Sequence, residues 1–147
     1  MKLLIVETEI VRVALAKCLH DGWKIAVSGK NICVFPQDRL GINLKYFEPE
    51  YQLSPLGREK IITLRRLANF ADAVYLGMSN DNNGEALAAH IQEYLNHDIM
   101  RRVELPEVIT AVSVHNALAN HRMVDYSRVD IVLAEQMIDR LASYEDF

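Results

Sequence analysis

The chain has 147 residues, of which 50% are hydrophobic and 24% charged. This length suits one domain, and this balance excludes a disordered, collagen-like or coiled-coil protein. The formal net charge of −4 excludes a global positive field that attracts nucleic acid, so contact with a polyanion needs a local basic patch.

Short apolar runs alternate with amphipathic stretches along the chain. Runs rich in β-branched residues predict strands at Lys2–Val6, Trp23–Val27, Ile32–Phe35 and Ala73–Met78, with a weaker one over Ile99–Leu105. Apolar residues at helical spacing predict helices over residues 10–20, 54–69, 85–96, 110–118 and 128–143. The alternation predicts an α/β fold with a parallel sheet covered by helices on both faces.

Local signals mark several ends of these elements. Gly22 can adopt the left-handed conformation that ends the first helix, and Ser54-Pro55 is typical of a helix start. Residues 36–49 are rich in polar and turn residues and predict a loop.

Composition also bears on location. No apolar run approaches the roughly 18 residues of a membrane span, and the first apolar run is too short for a signal peptide. Cys18 and Cys33 lack metal-ligand spacing, so we expect reduced, buried thiols. These observations predict a cytoplasmic protein without a membrane contact.

Two carboxylates follow predicted strands. In open α/β sheets, ligands bind beyond the carboxyl ends of the strands, where the strand order reverses. Glu7 follows the first strand, and Asp81 lies in the loop 79–84. Grouped carboxylates there favour Mg²⁺. The alternative is that Asp81 caps a helix and Glu7 is solvated.

The segment 74–86, which contains Ser79, Asp81 and Gly84-Glu85-Ala86, resembles the signature of the Toprim domain of bacterial type IA DNA topoisomerases. Segments 4–7, 21–24, 36–51 and 138–141 resemble the same family in the same order. The resemblance implies a Toprim (Rossmann-like) central parallel sheet in a domain over residues 1–120. It also implies that residues 121–147 form a C-terminal helical extension like the start of the next topoisomerase domain.

The resemblance implies a mechanism as well. In the family, a glutamate after the first strand and an Asp-x-Asp-x-Glu motif hold Mg²⁺ near the scissile phosphate. The glutamate is proposed as a general acid or base, and Glu7 is its counterpart. The family's nucleophilic tyrosine belongs to a later domain, so we expect no strand passage from this chain alone.

The motif differs at the positions that would hold the metal ion. Ser79, Asp81 and Asn83 stand where the family has Asp, Asp and Glu. Together with Glu7 they predict a weak or vestigial Mg²⁺ site, because neutral oxygens replace two carboxylates.

Several basic residues that would contact DNA in the family are replaced in this chain. Val11 replaces the family's lysine, and Glu135 and Gln136 replace two arginines. The remaining candidates for nucleic-acid binding are Lys30, Arg12, Arg58, Arg65 and Arg66.

Three hypotheses follow. The first is a degenerate Toprim module that docks to nucleic acid or to a protein partner. The second is Mg²⁺-dependent DNA phosphotransfer by Glu7 and Asp81, as a nuclease or as one part of a split topoisomerase. The third is a piece of a longer topoisomerase-like protein.

Overall fold

The computed structural model describes residues 1–144. The strands are β1 Lys2–Val6, β2 Trp23–Val27, β3 Cys33–Val34, β4 Ile42–Asn43, β5 Glu48–Pro49, β6 Gln52–Leu53, β7 Ala73–Leu76 and β8 Met100–Arg102. The helices are α1 Glu9–Ala16, α2 Pro55–Ala68, α3 Asn82–Leu95, α4 Ala111–Ala119 and α5 Tyr126–Ser143. Among the described residues, no helix combines the length and the apolar character needed to cross a membrane.

A four-stranded sheet in the order β2-β1-β7-β8 forms the centre of the molecule. Each neighbouring pair is parallel. Two small antiparallel pairs, β3 with β6 and β4 with β5, complete the strands. The α/β fold with a parallel sheet and a C-terminal helix, predicted from the sequence, is confirmed.

Helices cover both faces of this sheet. Successive side chains of a strand point to opposite faces, so β1 supplies two cores. Leu3 and Ile5 pack in one core with residues of α2, α3 and α5. Leu4 and Val6 pack in the other with residues of α1 and α4.

Several element boundaries differ from the sequence prediction. Helix α1 ends at Ala16 rather than His20, because the Cys18 amide bonds the Leu15 carbonyl in a tighter turn. Gly22 has the predicted left-handed conformation, with a φ of +88°, but it does not end the helix, whose C-cap is Lys17. The predicted loop 36–49 contains the hairpin of β4 and β5. Helix α3 starts at Asn82, three residues before the predicted start at Glu85.

Helix α5 packs against the body of the fold. Its buried residues Val129 and Val132 belong to the same core as α2 and α3. The assignment of residues 121–147 to the start of a following domain stays a prediction, and residues 145–147 lie outside the described part.

Candidate functional site

The strand order reverses between β1 and β7. The chain passes from β1 to β2 on one side and later returns to add β7 on the other. This reversal opens a crevice at the carboxyl ends of the two strands. Glu7 directly follows β1, and Ser79 lies three residues after the end of β7, so the topology brings both to the crevice.

Ser79 joins the two carboxylates that the sequence singled out. Its amide nitrogen and its hydroxyl oxygen each lie 2.8 Å from Oε1 of Glu7. The same hydroxyl oxygen lies 3.0 Å from Oδ1 of Asp81. One hydroxyl hydrogen cannot serve both acceptors at once, so the two carboxylates compete for the Ser79 hydroxyl.

Asp81 also caps α3. Its Oδ1 accepts a 2.7 Å hydrogen bond from the amide of Gly84, and its backbone is extended, with a φ of −151°. This contact satisfies one of the free amides of the first helical turn. Asp81 therefore has the capping role of the alternative hypothesis, while Glu7 is bonded to Ser79 rather than merely solvated.

A polar cavity of about 370 Å³ opens above these residues. Glu7, Lys30, Ser79, Asp81 and Asn83 all line it. The four predicted metal-site residues and one predicted DNA-binding residue therefore line the same cavity.

The cavity continues toward a less polar wall. Cys33, His90, Val132 and Gln136 lie on this side. The ring of His90 packs edge-on against Tyr51, and burial lowers the pKa of His90. His90 is therefore a packing residue beneath the cavity.

The donor set does not fit the four-carboxylate Mg²⁺ site that the resemblance implies. Within residues 1–144, no group of three or more His, Cys, Asp or Glu side chains is placed to hold a metal ion. Oδ1 of Asp81 is engaged by an amide, and Oε1 of Glu7 is engaged by Ser79. Two carboxylates and two neutral oxygen donors give less electrostatic attraction for a cation that gives up water reluctantly.

The other predicted DNA-binding residues lie on α1 and α2, outside the cavity lining. The Nε of Arg12 donates a 2.7 Å hydrogen bond to Glu9 within α1. The Nε of Arg65 donates to the carbonyl of Tyr94 at 2.7 Å. Arg58 and Arg66 are exposed on α2. Lys30 is the member of this set that lines the cavity.

Arg102 holds the loop after β7 and was not singled out as a site residue from the sequence. It is fully buried, and its guanidinium donates to the carbonyls of Met78 at 2.9 Å, Ser79 at 2.6 Å and Val103 at 2.7 Å. The alternation of side chains along β8 could have indicated that Arg102 is buried, because Arg102 lies on the same buried side of the strand as Met100. This residue fixes the backbone that carries Ser79.

Glu85 neutralises the buried arginine. It is fully buried and accepts from Arg102 Nε at 2.9 Å and from the Asp125 amide at 3.1 Å, and it also pairs with Arg122. Burial alone raises its pKa, but the hydrogen bonds from Arg122 and Asp125 and the charge of Arg102 bring the pKa below its usual value. Its contacts therefore place Glu85 in a structural network rather than among the cavity acids.

Gly84 leaves no room for a side chain. A Cβ at this position overlaps the carbonyl oxygen of Ser79 and lies 2.8 Å from its carbonyl carbon. We expect Gly84→Ala to destabilise the fold by about 1–3 kcal/mol through this overlap. Urea denaturation measures the loss, and Ala86→Gly is the control for an ordinary change in the same turn. A loss for Gly84→Ala no larger than for Ala86→Gly contradicts the prediction.

Tyr51 and Cys33 beside the cavity are poor nucleophiles. Burial raises the pKa of Tyr51 to about 12, and its hydroxyl donates to Gln136. Burial raises the pKa of Cys33 to about 11. Both cysteines are free thiols, as predicted, but each is half-buried rather than buried as expected.

Comparison with known proteins finds DNA topoisomerases similar to this chain. The chain is 37% identical over 144 residues to a plasmid DNA topoisomerase I of Xylella fastidiosa, covering 98% of this chain and 22% of that protein. It is 34% identical over 111 residues to DNA topoisomerase 1 of Mycolicibacterium smegmatis, covering 75% of this chain and 12% of that protein.

The chain is related to type I DNA topoisomerases. The resemblance found in the sequence is confirmed at this level, although no family model matches. The fold also superposes on full-length topoisomerase I of Thermotoga maritima with a TM-score of 0.84 and 24% identity, covering 97% of this chain and 24% of that one. The chain thus spans less than a quarter of the length of these type I topoisomerases.

Proposed function

We propose that this chain is a Toprim-type module that docks to DNA through an impaired Mg²⁺ site and does not pass strands by itself. The observation that carries the proposal is the contact of Glu7 and Asp81 with Ser79, in a cavity where Ser79 and Asn83 occupy two of the family's acidic positions. The names of the related DNA topoisomerases support DNA as the ligand, and a cytoplasmic location is part of the proposal.

Lys30 is the cation best placed to meet a phosphate. It is exposed and lines the cavity beside Glu7 and Asp81. Two carboxylates nearby oppose a phosphate unless a cation intervenes, so DNA binding should be weak and should strengthen when Mg²⁺ is added. Glu7 is the residue we assign as the remnant of the general acid or base.

DNA binding is measured by fluorescence anisotropy with labelled single-stranded oligonucleotide. We expect Lys30→Ala to weaken binding severalfold and to lower the slope of log affinity against log salt by about 0.7, the value for one lost phosphate contact. Lys17→Ala is the matched control, since Lys17 is exposed at the end of α1. Absence of binding by the wild type, or an equal loss in both variants, would reject the proposal.

Mg²⁺-dependent phosphotransfer is the second candidate, favoured by the convergence of Glu7 and Asp81 on Ser79. Supercoiled plasmid incubated with the protein and Mg²⁺ separates the two candidates. We expect no nicking. Nicking that disappears in Asp81→Ala but persists in Asp125→Ala would favour the second candidate. Each substitution removes the N-cap of a helix, but of these two residues Asp81 alone lines the cavity.

A further inference from the structure

A second, larger groove lies between α3 and α5 and has a volume of about 760 Å³. Gln92 and Glu93 of α3 form one wall, and Tyr126, Val129 and Leu133 of α5 form the other. The side chain of Gln92 donates a 3.0 Å hydrogen bond to the hydroxyl of Tyr126 across the groove. This volume falls within the range of sites that accommodate a ligand or a short peptide segment.

Apolar and aromatic side chains form much of the groove surface. Met123 is 62% exposed and Tyr126 is 54% exposed, although both are large apolar residues. Met100, Leu133 and Tyr51 lie against the same space. Methionine and tyrosine together make an adaptable contact surface, which favours a partner with apolar side chains.

Four carboxylates surround this apolar surface. Glu48, Glu93, Asp98 and Asp130 are exposed and line the groove. Among residues 1–144, none of the four forms an ion pair with a basic side chain.

The positive charge of Arg101, which also lines the groove, offsets only part of this negative charge. Arg101 donates to the carbonyl of Met100 at 2.9 Å and lies 3.7 Å from the sulfur of Met123. Nδ1 of His97 accepts from the amide of Ile99 at 3.0 Å, and its Nε2 lies 3.0 Å from the carbonyl oxygen of Ala71. The groove therefore presents an excess of negative charge around an apolar floor.

We propose that this groove binds a basic segment of a partner protein that also carries apolar side chains. Positive side chains complement the four carboxylates, and apolar side chains cover Met123 and Tyr126. DNA is disfavoured here because the carboxylates repel phosphates. The inference goes beyond the proposed function, since a protein ligand at this groove is independent of DNA at the Lys30 cavity.

Three synthetic peptides test the proposal with the full chain. The first alternates arginine and leucine, the second replaces each arginine with glutamate, and the third replaces each leucine with serine. Binding is measured by isothermal titration calorimetry and mapped by amide shifts in isotope-labelled protein. We expect saturable binding of the first peptide, with shifts at Met123, Tyr126 and Asp130, and binding at least about tenfold weaker for the other two.

Charge reversal at the groove supplies the site-specific test. Asp130→Lys and Glu93→Lys should each weaken the first peptide by about tenfold. Glu59→Lys, an equal charge change at an exposed position of α2, should leave the affinity unchanged. Two groove variants are used so that the test still holds if one of them fails to fold.

Other occupants give distinct results. Equal binding of the leucine and serine peptides, shifts away from the groove, or equal loss in Glu59→Lys overturns the proposal. Self-association that Met123→Lys abolishes assigns the groove to a second copy and overturns it as well, as do groove shifts on addition of DNA. Peptide binding by a protein that fails to bind DNA would reject the proposed function and leave this inference standing.

Discussion

Replacing Ser79 with Asp and Asn83 with Glu is expected to restore tight Mg²⁺ binding. The double variant puts four carboxylates around the cavity that Glu7 and Asp81 already line. Two charges about 4 Å apart attract by up to ~4 kcal/mol in a partly exposed site, of which about 1.4 kcal/mol suffices for a tenfold gain. We therefore expect each substitution to tighten Mg²⁺ binding by at least about tenfold.

Without the ion, the same variant should be less stable than the wild type. The new carboxylate at position 79 faces Glu7 and Asp81, which already converge there. In EDTA, the double variant should have a lower melting temperature than the wild type. Added Mg²⁺ should raise the melting temperature of the variant strongly and that of the wild type only weakly.

A matched variant separates site geometry from net charge. Thr63→Asp combined with Gln52→Glu adds two negative charges at exposed positions of α2 and β6. We expect this control to leave Mg²⁺ binding unchanged. A Mg²⁺ response in the control equal to that of the Ser79 and Asn83 variant, or none in either, would mean that the cavity is not a former metal site.

Glu85→Gln is expected to give the largest loss of stability. Glu85 and Arg102 are both fully buried and lie 2.9 Å apart, so removing one charge leaves the other uncompensated inside the protein. Breaking a buried pair in this way costs about 3–5 kcal/mol. For a protein of this size, that loss corresponds to a melting temperature lower by roughly 10–15 °C.

Glu9→Gln is the control, since it removes an ion pair that lies at the surface, with Arg12. Solvent screens such a pair, so we expect little change in melting temperature. Calorimetry of both variants at neutral pH makes the comparison. Similar melting temperatures for the two variants would show that the buried network does not hold the fold together.

The pH dependence of stability provides an independent check. The pKa of Glu85 is lower in the folded protein than the usual glutamate value of 4.5. A carboxyl with a depressed folded pKa stabilises the protein above its unfolded pKa, and this contribution is lost as the pH falls through the folded value. We expect the wild type to lose this stability in acid below about pH 4.5, and Glu85→Gln to lack this component of the acid transition.

The buried pair of Arg102 and Glu85 and the cavity acids Glu7 and Asp81 contact the same loop in different ways. Arg102 binds the carbonyls of Met78 and Ser79, so it holds the backbone between β7 and α3. Glu7 and Asp81 meet at the side chain of Ser79. The loop geometry thus rests on buried charges that are separate from the two acids lining the cavity.

Local pattern was enough to predict most of the secondary structure and the neighbourhood of the site. Alternating apolar runs and amphipathic stretches indicate strands and helices because burying one face of an element fixes the spacing of its apolar residues over a short stretch of sequence. Glu7 and Asp81 could be placed together because parallel strands present their carboxyl ends at one edge of a sheet. The Ser54 cap and Gly22 followed from similarly local chemistry.

Long-range contacts required the folded chain. The partners of Glu85 come from β8, from the segment before α5 and from α5 itself, and no spacing rule joins such distant residues. The acidic groove likewise exists only where α5 meets α3. Periodicity reports which side of an element is buried, whereas tertiary packing decides which charges meet there and which stay open to a ligand.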